Sequence, residues 1–228
     1  MPLHLTPAIP FETLVLIGGG EFSFGETRAI DELLLARMPA DRRTVAFLPT
    51  ASGSVEYAVH FGTYLRGLCE QLNVENVEVV NVPIYRGRDN RRQKNLTAIL
   101  SAGMIYLGGG VTNNLAPVLR ESPAELALRD AAAQGAVIAA IGAAASCFGT
   151  HARDMRGSGS ALPALGWLAN TVIDTGFDPQ NDTALRRLMS LPEATLGLGI
   201  PAKTALVIHR DGTAEIAGDG QVAAFRRG

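Results

Sequence analysis

Residues 135–149 carry the stretch whose residue types and spacing outline a catalytic device. An apolar run of strand length, 136–141, leads through a small-residue turn into a helix. This is the frame of a nucleophile elbow, where a reactive side chain stands on a tight strand-to-helix bend between small neighbours. Such a bend serves acyl transfer, which needs an activated hydroxyl or thiol, a base to take its proton, and backbone donors for the oxyanion. Here the bend carries Gly142 and Ala143, and neither can attack a carbonyl. Two reactive groups follow, Cys147 and, four residues on, His151, which share a face if both are helical. They form the alternative catalytic reading. Against it, the strand ends near Gly142, so Cys147 falls more than a turn into the helix, where a cysteine is ordinarily inert core. Ser146 has no obvious base.

A bend of this kind needs a sheet to hold it. Apolar runs of strand length at 14–17, 44–48, 77–82, 104–107 and 136–141 alternate with helix-period segments, the pattern of a parallel sheet covered by helices on both faces. Segment 54–72 opens on Ser54 as a cap and lines Ala58, Phe61, Leu65, Leu68 and Leu72 along one face. Segment 124–134 is a second helix, stopped at Gly135. The fold class is therefore α/β, three-layered with a mostly parallel central sheet, and residues 1–228 are read as a single domain behind an extended tail, 1–12. After residue 150 the texture changes. A small-residue loop at 157–165 is a flexible segment beside the site, a strand follows near 171–174, and a helix near 182–191. Runs 204–209, 214–217 and 222–225, separated by Asp-Gly turns, read as a C-terminal antiparallel meander.

Ligands of open parallel sheets sit outside the carboxyl ends of the strands, and three Gly-rich turns fall there. Gly18, Gly19, Gly20 and Glu21 follow the first strand, Gly108, Gly109, Gly110, Val111 and Thr112 the fourth, and Gly142, Ala143 and Ala144 the fifth. Gly20, Gly110 and Gly142 are expected to converge. The ligand-lining set is then Gly19, Gly20, Glu21, Gly109, Gly110, Thr112, Asn113, Gly142 and Ala143, with Asn113 alternatively capping the helix that starts beside it. The first turn lacks the G-x-G-x-x-G spacing of a dinucleotide site.

Composition excludes several classes. Twenty basic against twenty-two acidic residues give a net charge of -2, with no field drawing the chain to nucleic acid or an anionic membrane. The basic run Arg86, Arg88, Arg91, Arg92 and Lys94 lacks interleaved aromatics and reads as a solvated loop and helix start. Cys69 and Cys147 form no metal or disulfide pattern, which fits a reducing compartment. His4, His60 and His209 read as a disordered-tail residue, a helix-surface residue and a strand residue, without partners at metal-ligand spacing, so neither metal nor cofactor is expected. The first ten residues have neither the basic region of a signal peptide nor the length of a membrane span, and a cytoplasmic location is expected.

The segments Leu16–Glu21, Leu48–Ser52, Tyr106–Thr112, Gly135–Ala139 and Gly197–Ile200 stand in the order and spacing of the cyanophycinase and dipeptidase E family of serine peptidases, which the chain resembles from about residue 13 to 225. The resemblance implies a fold similar to class I glutamine amidotransferases. In that family the fifth strand ends in Gly-Thr/Ser-Ser-Ala-Gly-Ala, whose nucleophilic serine falls on Gly142 here, or on Ala144 with a two-residue shift. The family's Asp-Gln-His-Phe segment corresponds to Asp174, Thr175, Gly176 and Phe177, so the base position reads Gly176. An acidic pair commonly follows the late Gly-Ile, whereas Pro201 and Ala202 follow Ile200. Asp174, Asp178 and Asp182 gather near the base position and read as a turn and a helix start, with Asp182 as cap.

The three departures imply a catalytically inactive homologue that binds a small acidic or peptide-like ligand, or a partner subunit, in the former cleft. A homodimer and pairing with an active paralogue are the two assemblies considered. An active hydrolase using Cys147 and His151 is the alternative.

Overall fold

The computed structural model describes residues 3–157 and 160–227, so Ser158 and Gly159 of the loop expected at 157–165 lie outside the described residues. In chain order the elements begin with β1 (Thr13–Ile17), α1 (Arg28–Arg37), β2 (Thr44–Leu48), α2 (Val55–Gln71) and β3 (Glu78–Asn81). They continue with α3 (Gln93–Ser101), β4 (Met104–Leu107), α4 (Thr112–Leu119), α5 (Pro123–Ala133), β5 (Val137–Ile141) and the short α6 (Ala143–Ser146). The last third holds β6 (His151–Arg153), β7 (Ala161–Pro163), β8 (Thr171–Thr175), α7 (Thr183–Met189), β9 (Leu196–Ile200), β10 (Thr204–His209), β11 (Ala214–Gly218) and β12 (Ala223–Arg226).

The main sheet has the order β11-β10-β1-β5-β4-β2-β3. Its five strands from β1 to β3 run parallel, and β10 and β11 extend it antiparallel. Side-chain alternation along each strand divides the core into two layers. Leu14, Leu16, Ala46 and Leu48 face one layer, covered by α3, α4 and α5, while Val15, Ile17, Val45 and Phe47 face the other, under α1 and α2. The mostly parallel sheet with helices on both faces is thus the observed class. The Ser54 cap is present, its hydroxyl accepting from the Tyr57 amide.

Two expectations are corrected here. β10 and β11 form a hairpin, but β12 leaves it to pair with β9 beside β8 in a separate three-stranded sheet, so there is no three-strand meander. Packing decides this, because Phe225 of β12 meets Phe177 and joins a satellite core with Val172, Leu185 and Leu188. Nor is His4 a disordered-tail residue, as residues 3–12 show. Leu5 and Phe11 are buried, His4 bridges to Thr213, and Pro7 to Leu168, since two large apolar side chains among the prolines find a place in the core.

Candidate functional site

The adjacency β4-β5-β1 puts three turns side by side at one end of the sheet. A cavity of about 210 Å³ opens there, lined by Gly18, Gly110, Thr112, Gly142, Ala143, Ser146, Arg153, Met155, Ile173, Asp174, Thr175 and Gly176. It shares Arg153, Met155, Asp174, Thr175 and Gly176 with an outer bay of about 610 Å³, which reaches Asp154, Asp178, Asn181 and Arg187.

Gly142 forms the bend itself. Its φ of 57° and ψ of −127° are a conformation in which L side chains are strained. Its amide donates to the Ile17 carbonyl and its carbonyl accepts from the Ser146 amide, so the turn is tied to β1 and to α6. A Cβ placed on Gly142 would meet nothing within 4 Å. The same holds for Gly176, where φ is 63°, and whose amide donates to the Gly18 carbonyl. Both glycines therefore face open space in one cavity. Gly18 has the opposite reason for being glycine: a Cβ there would lie 2.0 Å from the Pro201 carbonyl oxygen. The Ala143 amide starts α6 and has no acceptor one helical turn back, as at any helix N-terminus.

Of the residues expected to line the site, Gly110, Thr112, Gly142 and Ala143 do. Gly109 packs behind, toward Ile141, and its amide is taken by the Tyr57 phenol, which burial pushes up to about 12. Gly19 and Gly20 turn away, Gly20 toward Thr27 and Glu26, so Gly18 replaces Gly20 in the convergence with Gly110 and Gly142. Glu21 belongs to a different, aromatic-lined groove with Phe22, Phe24, Tyr57 and Tyr64, because its carboxylate accepts from Ser23 and fixes a tight turn. Asn113 is not a helix cap, the cap position being Val111.

Asn113 is instead part of a clamp. Thr112 Oγ1 donates to the Arg153 carbonyl at 2.6 Å, Asn113 Nδ2 to Asp154 Oδ1 at 2.7 Å, and Asn113 Oδ1 accepts from the Met155 amide at 2.9 Å. Arg156 Nη2 then donates to Asn114 Oδ1 at 2.7 Å. Three successive residues of α4 thus hold residues 153–156 against the cavity mouth. The hydrogen bonds from Asn113 and from the Arg156 and Gly157 amides hold the Asp154 carboxyl below the usual carboxylate range.

Arg153, Met155, Asp174 and Thr175 were not among the expected lining residues, and the clamp explains why. Arg153 and Met155 reach the cavity through side-chain bonds some forty residues apart in sequence, and Asp174 and Thr175 through β8–β9 pairing, which no local periodicity reports. Asp182 does not cap α7 through its side chain, which is committed to Arg186 at 2.8 and 2.9 Å.

The alternative catalytic pair separates. Cys147 ends α6, is fully buried, and burial pushes its thiol up to about 12. His151 is not helical but opens β6, outside the cavity lining, with Nδ1 3.0 Å from Glu193 Oε1 although not aligned for a hydrogen bond. Ser146 donates its hydroxyl to the Ala143 carbonyl at 2.9 Å. A thiol held protonated in an apolar core reacts slowly. Native protein treated with iodoacetamide is therefore expected to leave Cys147 unmodified over a period in which the denatured chain is fully alkylated, read by peptide mass spectrometry. Labelling at equal rates would contradict the burial.

Among the described residues, no group of histidine, cysteine and carboxylate side chains could hold a metal ion, and no helix is long and apolar enough to cross a membrane.

The model of Peptidase family S51 matches residues 14–216. A cyanophycinase of Trichormus variabilis is 29% identical over 224 residues, covering 92% of this chain and 72% of that protein. An uncharacterized peptidase of Bacillus subtilis, YgaJ, is 26% identical over 157 residues, covering 68% of this chain and 64% of its own. Among solved structures, a peptidase from an acI-B1 Actinobacterium superposes with a TM-score of 0.77 at 25% identity, covering 93% of this chain and 90% of the other. A putative peptidase E protein from Listeria monocytogenes shares the fold, with a TM-score of 0.59 at 16% identity over 96% of this chain and all of that one.

Proposed function

The chain belongs to peptidase family S51, and we propose that within it this protein is a non-hydrolytic member that binds a small peptide-like or acidic ligand in the cleft, without cleaving it. One observation carries the reading. Gly142 stands at the tip of the elbow and Gly176 opposite it, the positions where the resemblance puts nucleophile and base, and neither carries a side chain. The two-residue shift that would put the nucleophile on Ala144 has no such support, because Ala144 is buried inside α6.

The rest of the machinery is of a kind that binds. The Gly110 and Ala143 backbone at the cavity wall can present donors to a carbonyl or carboxylate, but donors alone neither attack it nor move its proton. The outer bay supplies both signs of charge, Asp154 and Asp178 with Arg153 and Arg187, which suits a ligand carrying both. A partner subunit seated on the same cleft, whether a second copy or an active paralogue, is the other occupant this reading admits. The compartment follows from the cysteine usage and is proposed as cytoplasmic.

A thermal-shift titration with a β-linked Asp-Arg dipeptide tests the binding reading. A ligand at a hundred times its dissociation constant stabilises the native state by about 2.7 kcal/mol. The expected result is a melting temperature that rises with dipeptide while the dipeptide is recovered intact. A rise that fades as the dipeptide is consumed would overturn it.

A further inference from the structure

We propose that Arg153 and Asp174 form a two-point clamp for a compact zwitterion, the carboxylate of the ligand on Arg153 and its ammonium on Asp174. The inference rests on the non-hydrolytic reading and specifies the ligand of that cleft. Both side chains line the inner cavity and the outer bay alike, so they stand at the junction through which any occupant passes. Their charges interact, Arg153 favouring the ionised form of Asp174, while partial burial raises the carboxyl above its ordinary value. Among the described residues the Arg153 guanidinium has neither a hydrogen bond nor an ion pair, and its planar fork of N–H donors matches a carboxylate.

The backbone of Arg153 is fixed although its side chain is exposed. Its carbonyl accepts from Thr112 Oγ1, and the next two residues are held by Asn113, so the guanidinium is carried by a clamped strap and not by a free loop. Asp174 sits on β8, in parallel register with Gly199 of β9. Both anchors are therefore set on rigid backbone before a ligand arrives, which lowers the ordering cost of binding.

Size and composition select the class. At about 30 Å³ per water, a cavity of about 210 Å³ holds only a handful of solvent molecules. The open space beside Gly142 and Gly176 leaves room for a small body in the cavity that both charged residues line. A molecule bearing only a carboxylate would leave the half-buried Asp174 without a partner, and one bearing only an amine would leave Arg153 without one. Free amino acids and dipeptides carry both groups.

Isothermal titration of the full chain distinguishes these sources. The probes are L-alanine and L-alanyl-L-alanine, each compared with its N-acetyl form, which lacks the ammonium, and its C-terminal amide, which lacks the carboxylate. The expected result is binding of at least one zwitterion, weakened about tenfold or more by either modification. Alanine binding alone assigns a free amino acid, and dipeptide binding alone a peptide. Arg153→Gln is expected to erase the discrimination against the amide while keeping that against the N-acetyl form, and Asp174→Asn the reverse. Such crossed selectivity is a readout that loss of fold cannot imitate. N-acetyl and amide forms that bind the native chain as tightly as the zwitterions, selectivities unmoved by either substitution, or no heat from any probe at millimolar concentration would each overturn the clamp. None of these touches the non-hydrolytic reading, which is overturned separately by cleavage of the dipeptide in the titration cell.

Discussion

The double variant Gly142→Ser with Gly176→His is expected to gain amide hydrolysis that neither single variant shows. The space for both side chains already exists, since a Cβ on either glycine meets nothing within 4 Å. What each substitution encounters is backbone strain. Serine at φ 57°, ψ −127° costs on the order of 1–3 kcal/mol, as strained functional positions do, and the left-handed φ of 63° at residue 176 adds about 1–2 kcal/mol. Against native stabilities of about 5–15 kcal/mol, a loss of that size is compatible with folding. The serine alone lacks a base, and the histidine alone has nothing to deprotonate but water. Together they restore proton transfer, typically worth 10²–10⁴-fold. The assay is release of amino acid from Asp-initiated dipeptides and from the β-linked Asp-Arg dipeptide, with circular dichroism to confirm folding. A single variant as active as the double would show that a base other than residue 176 serves the site.

A second large effect concerns a residue far from the elbow. Asp31 lies on α1, 1% exposed, beneath the aromatic layer formed by Phe47, Phe61 and Tyr106. Its Oδ2 accepts from Thr27 Oγ1 at 2.7 Å and from the Tyr64 hydroxyl at 2.8 Å, and the Tyr106 hydroxyl also faces the carboxyl. Burial dominates these hydrogen bonds and raises its pKa from 3.8 to about 6. Because the folded value lies above the unfolded one, folding favours the protonated carboxyl. The stabilisation is fully present below pH 3.8 and is lost as pH rises through about 6. At about 1.4 kcal/mol per pH unit, that is on the order of 3 kcal/mol between acid and neutral solution. Carboxylates held below their ordinary range, Asp154, Asp182, Asp211 and Glu26, act in the opposite direction, so the variant must be compared with the native chain at each pH. Asp31→Asn is expected to be more stable than the native chain at pH 7.5, with the difference vanishing near pH 4, in urea titrations. A difference that does not vary with pH would contradict a titrating Asp31.

Much of the frame was legible from residue order. Strands 44–48 and 104–107 appear at the expected residues, because a run buried on both faces is apolar throughout and bounded by polar turns. The elbow was legible for the same reason, a buried strand ending at a glycine before a run of alanines. Long-range pairing was not. Nothing in residues 222–225 says that they join β9 instead of continuing the hairpin, since that choice is made by Phe225 meeting Phe177 from nearly fifty residues away. Asp174 stood in the segment that the resemblance sets at the base position, but Arg153 carries no motif, and only the clamp from Thr112 and Asn113 brings it to the cleft. Asp31 carries no sequence signal of its own, and Tyr64 and Tyr106, which enclose its carboxyl, come from other elements. The direction of each glycine turn was equally hidden: Gly18, Gly19 and Gly20 are identical in sequence, and only contact with the Pro201 carbonyl shows which of them faces the cavity wall.

The measurement that tests the central claim most directly is a hydrolysis time course of the unmodified protein on the β-linked Asp-Arg dipeptide, quantified by mass spectrometry against buffer alone. An oxyanion-binding backbone without nucleophile or base leaves at most about 10³–10⁴ over water, below detection for an amide bond. The dipeptide is expected to remain intact at every protein concentration. Product that scales with protein, and that disappears in Cys147→Ala or His151→Ala, would contradict it and assign the chemistry to those residues.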